Sequence, residues 1–252
     1  MKQVLSISAL LFITTIFISC KKDVAGKDVA GSPESITGGI TSSNFTMVQT
    51  NTSLPYWQEI YNDKNFGKYS DTMARCIRGG GIVFVGNSLF NNWNIEWNYR
   101  TYPAINRAFG GSRWLSIPPF LQDVIGCYRP KQVVFYEGEN ELFAGKDAAQ
   151  LFNDFKTVFE KTRSMCPRAR ITVLSLKPSP SQWNKNEIIK SYNSKVRKYL
   201  HGRFNTSYCD VYSLMLNSNG GLRPELYKSD GLHMTVEGYE IWLLAIKPYL
   251  LQ

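Results

Sequence analysis

Histidine is nearly absent: the 252-residue chain has two, His201 and His233. With imidazole this scarce, a metal site built on several histidines is excluded, and a histidine base working near neutral pH must be one of these two. Cysteine is sparse as well. Cys20, Cys76, Cys127, Cys166 and Cys209 stand tens of residues apart, so no pair has the close spacing of a zinc or CxxC redox motif. No apolar run reaches the ~20 residues that a membrane-spanning helix needs; the one at the start, Val4 to Ile18, holds fifteen. The basic excess, 29 Lys and Arg against 20 Asp and Glu, is spread through the chain without a stripe of interleaved aromatics. That distribution argues against nucleic acid as a partner and leaves anionic glycans or lipid headgroups compatible.

The start of the chain reads as a leader. Lys2 precedes the apolar run, which closes on "FISC", small Ser19 followed by Cys20. Residues 1–20 resemble a bacterial lipoprotein signal, with Phe17 where leucine is usual. The resemblance implies that Cys20 is lipidated and becomes the mature N-terminus, anchoring the protein in the bacterial cell envelope on a periplasmic or outer-membrane face. Residues 21–53 are rich in Gly, Ser, Thr and charge and poor in large apolar side chains, as expected for a flexible tether. The repeated "KDVAG" within it is too short to be a structural unit. Removal of the first twenty residues leaves a net charge of +8. In an oxidising compartment the four remaining cysteines allow up to two disulfides, with buried free thiols the alternative.

From residue 54 onward short apolar runs alternate with amphipathic stretches. "GIVFVGNSL", "PKQVVFYEGEN", "ARITVLSLKP" and, less regularly, "TSYCDVYSL" read as strands. "DAAQLFNDFKTVFEKTRSM", "NEIIKSYNSKVRKYLHGR" and "TVEGYEIWLLAIKPYLL" read as helices, the last capped by Thr235. Strands alternating with helices predict one α/β domain over 54–252, a three-layer α/β/α sandwich around a mostly parallel sheet. Sites in such sheets gather at the carboxyl ends of strands. That directs attention to "GNSL", "RAFGGS", "EGENE" and "SDGLHM".

His201 follows a helix rich in Lys and Arg just before Gly202, where an imidazole serves as a cap. His233 lies three residues after Asp230 in "SDGLHMT", a spacing that lets the carboxylate fix the tautomer of the ring. Ser88 follows "IVFVGN" where a buried strand breaks, although the GxSxG elbow of α/β hydrolases is absent. The "FGGS" turn at 109–112 and Asn140 in "GEN" supply the two kinds of donor, backbone and side-chain amide, that stabilise an oxyanion.

Taken in order, "GNSL", "NRAFGGS", "GEN" and "DGLH" resemble the blocks of the SGNH hydrolases, the GDSL lipase and acylhydrolase superfamily, over roughly residues 78–252. The flanking text looks like its bacterial acetylhydrolase-like branch. The resemblance implies a flavodoxin-like fold and a serine esterase with Ser88 as nucleophile, His233 as base and Asp230 orienting it. It places the oxyanion hole on the amides of Ser88 and Gly110 and the side chain of Asn140. It implies no cofactor and no metal. Two positions depart from the pattern, Asn87 and Glu141 standing where aspartate is usual. The expected substrate is a small acyl ester, an O-acetyl group on carbohydrate ahead of a lysophospholipid.

Two rival readings rest on other residues. Glu137, Glu139 and Glu141 alternate along what reads as an extended segment, which would put three carboxylates on one face and raises a glycosidase. Trp93, Trp97, Tyr99, Tyr102, Trp114 and Trp183 lie near expected loops, where they would stack on sugars in a silent glycan-binding lipoprotein.

Overall fold

The structure, a computed structural model, describes residues 79–251. The expected signal at 1–20 with its lipidation site Cys20, the tether at 21–53, the start of the expected domain at 54–78, and Cys76 all lie outside the described residues.

Five strands form one sheet: β1 (Ile82–Gly86), β2 (Ala104–Asn106), β3 (Gln132–Tyr136), β4 (Arg170–Leu174) and β5 (Thr206–Cys209). Their order is β2-β1-β3-β4-β5 and every pairing is parallel. The four strands read from sequence are all present. The fifth, β2, is only "AIN", too short to carry an alternation of its own; it forms because its backbone pairs with β1 in register Val83 to Ile105.

Three longer helices are as expected: α5 (Ala148–Met165), α6 (Asn186–Leu200) and α7 (Val236–Ile246). Asp147 caps α5 by accepting from the amides of Ala149 and Gln150, and Thr235 caps α7 by accepting from Gly238. Short helices α1 (Ser88–Asn91), α2 (Ile95–Asn98), α3 (Leu121–Val124) and α4 (Glu139–Phe143) sit in the connections. Among the described residues no helix is long and apolar enough to cross a membrane.

Adjacent residues of β3 show which helices cover which face. Phe135 meets Trp114 at 5.6 Å between ring centroids, and Trp114 in turn meets Phe155 of α5. Tyr136, pointing the other way, meets Trp242 of α7 at 4.6 Å. The core therefore lies in two layers, one on each face of a sheet whose strand interiors are buried except in the half-buried edge strand β5. These contacts also decide the role of most of the aromatics proposed for glycan stacking. Trp93, Tyr99 and Trp114 are 4%, 1% and 0% exposed and are core residues, Tyr102 is partly buried against that core, and Trp97 and Trp183 keep open faces.

Cys127 is disulfide-bonded, whereas Cys166 and Cys209 are free and buried. Their thiols behave as small apolar side chains, and burial pushes both above the usual cysteine range.

Candidate active site

The order β2-β1-β3 reverses the direction of winding at β1, so the crevice at the carboxyl ends of β1 and β3 is the switch point of the sheet. Both strands end in residues of interest there. Gly86 ends β1 with no room for a side chain, since a Cβ would lie 2.4 Å from the carbonyl oxygen of Tyr136. Asn87 follows as the N-cap of α1, its Oδ1 accepting from the amide of Leu89 at 2.9 Å. Ser88 is the first residue of that helix, and its own N–H is one of the orphan donors that every helix start leaves.

His233 and Asp230 come to Ser88 from the loop before α7. Imidazole Nε2 lies 2.9 Å from Ser88 Oγ, and Nδ1 lies 2.6 Å from Asp230 Oδ2. Asp230 Oδ1 accepts from the amides of Leu232 and His233 at 2.8 and 2.9 Å, which turns the loop back on itself and fixes the carboxylate. Burial alone would raise the Asp230 carboxyl. The imidazole hydrogen bond and the two amides outweigh it and hold the group below the usual carboxylate range. With Asp230 ionised, the Nδ1 contact needs the ring hydrogen there, leaving Nε2 as an acceptor facing Ser88. His201, by contrast, is the exposed C-cap of α6 and joins no part of this arrangement.

The "FGGS" turn is tied to the end of β1. The amide of Phe109 donates to Gly86 O at 2.9 Å, the Ser112 hydroxyl contacts the same oxygen at 3.0 Å, and Gly111 takes φ +72° to close the turn. Gly110 faces open space: a Cβ there would meet no atom within 4 Å. Asn140 Nδ2 donates to Ser112 O at 2.8 Å, so one of its two hydrogens is committed to holding the side chain and the other is free to act.

The three glutamates do not share an extended face. Gly138 adopts φ +129°, open to glycine, and starts α4, so Glu139 and Glu141 lie on a helix and Glu137 lies outside it. All three are at most 2% exposed. A glycosidase needs carboxylates lining an open cleft, and these are packed inside the protein.

Each glutamate has an internal partner. Glu139 accepts from Tyr136 Oη at 2.7 Å and from Asn87 Nδ2 at 3.1 Å, and pairs with buried Lys177 at 2.7 Å. This explains the asparagine at 87, because an aspartate there would set a second carboxylate against Glu139 with one lysine to balance both. Glu141 accepts from the amide of Trp114 at 2.5 Å, and Glu137 contacts Ser112 Oγ. Sequence spacing gave no sign of Lys177; a lone lysine in the apolar "VLSLKP" run was the available signal.

Several solved structures share this architecture. A GDSL-like lipase from Bacteroides thetaiotaomicron superposes with a TM-score of 0.60 at 21% identity, covering 76% of this chain and 98% of that one. A Bacteroides fragilis protein assigned as an acylhydrolase gives 0.62 at 21% identity, over 75% and 96%. A family 3 carbohydrate esterase from Clostridium thermocellum gives 0.53 at 16% identity, over 67% and 95%. At these identities the likeness is one of fold. No curated protein matches the chain in sequence. The family profile does match, across residues 78–241 and all four blocks that meet at the switch point, and the chain belongs to the GDSL-like lipase/acylhydrolase family of ester hydrolases.

Proposed function

We propose that Ser88, His233 and Asp230 are the catalytic triad of this esterase. The observation that carries the reading is the unbroken run of contacts from Ser88 Oγ through the imidazole to Asp230, at 2.9 and 2.6 Å. Ser88 Oγ attacks the ester carbonyl carbon while His233 Nε2 takes its proton. The resulting oxyanion is received by the amides of Ser88 and Gly110 and by the second hydrogen of Asn140 Nδ2. His233 then protonates the leaving alcohol, and water, deprotonated by the same nitrogen, releases the acid from Ser88. This chemistry calls on no metal or cofactor.

The substrate we propose is a small acyl ester, an O-acetyl group on carbohydrate. The segment Pro180–Lys185 supports this: the amide of Ser181 donates to Gly231 O at 3.1 Å, in the loop between Asp230 and His233, and Gln182 Nε2 donates to Glu139 O at 3.0 Å, beside Asn140. Trp183, 37% exposed, therefore stands on a segment braced against both halves of the site, a side chain suited to stacking on a sugar ring. The carbohydrate esterase among the structural neighbours points the same way. Release assays that compare acetylated oligosaccharides with lysophospholipids test the assignment. Faster turnover of the acetylated sugar is expected, and preferential lysophospholipid turnover would reject it in favour of a lipid substrate.

We further propose that the enzyme works at the bacterial cell envelope, tethered through lipidated Cys20. The support is the leader itself, a charged start and a fifteen-residue apolar run closing on Ser19 and Cys20. Labelled palmitate should enter the native chain and not Cys20→Ala; equal labelling of both would refute the anchor.

A further inference from the structure

We infer that Glu137 is a neutral carboxylic acid in the working enzyme, and that its proton, donated to Ser112 Oγ, is what locks the three parts of the oxyanion hole together. The argument begins with counting hydrogens. Ser112 Oγ contacts two oxygens, the carbonyl of Gly86 at 3.0 Å and Oε1 of Glu137. A hydroxyl has one hydrogen, and a peptide carbonyl has none to give. If Ser112 donates to Gly86 O, the hydrogen in the other contact must come from Glu137. The opposite assignment, a carboxylate taking the serine hydrogen, leaves Ser112 Oγ and Gly86 O as two acceptors pressed together in the interior.

The second oxygen points the same way. The amide of Gly138 favours the ionised form, yet Glu137 Oε2 is buried without a well-formed hydrogen bond, which costs far less for the carbonyl oxygen of an acid than for half of a carboxylate. The surroundings favour the acid as well. Around Glu137 stand Glu139, balanced by Lys177; Glu141, with Asp154 and Lys146 beyond it; and the phenol of Tyr192. The one buried cation of this group is already paired. Burial pushes the Glu137 carboxyl well above the usual range, and the neighbouring carboxylate of Glu141 pushes it further.

The acid sits where it joins every block. Through Ser112 Oγ it reaches Gly86, two residues before the nucleophile. Ser112 is itself two residues after Gly110, and its carbonyl oxygen holds Asn140 Nδ2. Ionised, Glu137 would only accept. It would draw the serine hydrogen away from Gly86 O, and the bond that aims Asn140 would shift with it. Glu137 is thus a positioning residue whose proton is needed at the alkaline end of the pH range.

The kinetic consequence rests on the esterase reading, but the proton can be read without substrate. In infrared difference spectra of the resting protein, the native enzyme at neutral pH should show a protonated carboxyl band that Glu137→Gln lacks. The native enzyme should lose kcat at alkaline pH; the amide of that variant also donates to Ser112, so its kcat at pH 7 should stay within about threefold of native and its alkaline decline should vanish. Absence of the acid band, an unchanged alkaline decline in Glu137→Gln, or a folded Glu137→Gln that has lost activity would each overturn the inference. Ser112→Ala is the second variant: removing the acceptor should move the acid band to higher frequency, and an unmoved band would count against it.

Discussion

Ser88→Ala should lower kcat by a factor on the order of 10⁴ to 10⁶ while leaving KM and melting temperature close to native, as measured on a small activated ester. The size follows from what the change removes. Without Oγ there is no acyl enzyme, and the remaining rate comes from water attacking a carbonyl still held by the oxyanion donors. The fold is spared because Ser88 is partly exposed at the start of α1 and its side chain caps nothing; that task belongs to Asn87. A loss below about tenfold would mean that another residue is the nucleophile.

Asp230→Asn is the second large effect, a fall in kcat on the order of 10⁴ at neutral pH. Asp230 Oδ1 is occupied by two amide donors, so the incoming Nδ2 must face the imidazole. It then donates to Nδ1, the ring hydrogen moves to Nε2, and Ser88 meets a donor where it needs an acceptor. The native carboxyl also has a pH signature. Its folded value is depressed, so the stability it contributes is present above its unfolded value of 3.8 and is lost as pH falls through the lower folded one. The native enzyme should thus lose this contribution only in strong acid, and Asp230→Asn should show no such step. A variant that keeps more than a tenth of native kcat would remove Asp230 from the mechanism.

The buried glutamates bias stability in the other direction. Glu141 is raised to about 7, burial outweighing the bond from the Trp114 amide, so its contribution is complete below its unfolded value of 4.5 and is lost as pH rises towards 7. The pairing of Glu139 with Lys177 differs in kind. Removing the lysine alone would strand a buried carboxylate beside the turn that carries Asn87 and Ser88, at a cost of about 3 to 5 kcal/mol.

How much of this was legible in the chain depends on whether the signal was local. Four strands and three long helices declared themselves, because their apolar residues recur at spacings that burial on one or both faces requires. Asp230 and His233 were legible as a pair for the same reason, three residues apart with glycine between them. Strand β2 was not, because three residues carry no period and pairing with β1 makes it a strand. The glutamates misled: alternation in "EGENE" read as extension, yet Gly138 starts a helix, and the carboxylates turn inward to Ser112, Trp114, Asn87 and Lys177, partners 25 to 52 residues away along the chain. No spacing rule reaches that far. The apparent aromatic surface failed on the same ground, since Trp93 and Tyr99 are covered on one face of the sheet and Trp114 on the other only once the sheet is assembled.

The central claim, that His233 activates Ser88 as the nucleophile of an ester hydrolase, is tested most directly by fluorophosphonate labelling followed by peptide mapping. The account predicts a single adduct on Ser88, formed rapidly by the native enzyme and lost or greatly slowed in His233→Ala. An adduct on a different residue, or labelling of Ser88 that proceeds equally well without His233, would contradict it.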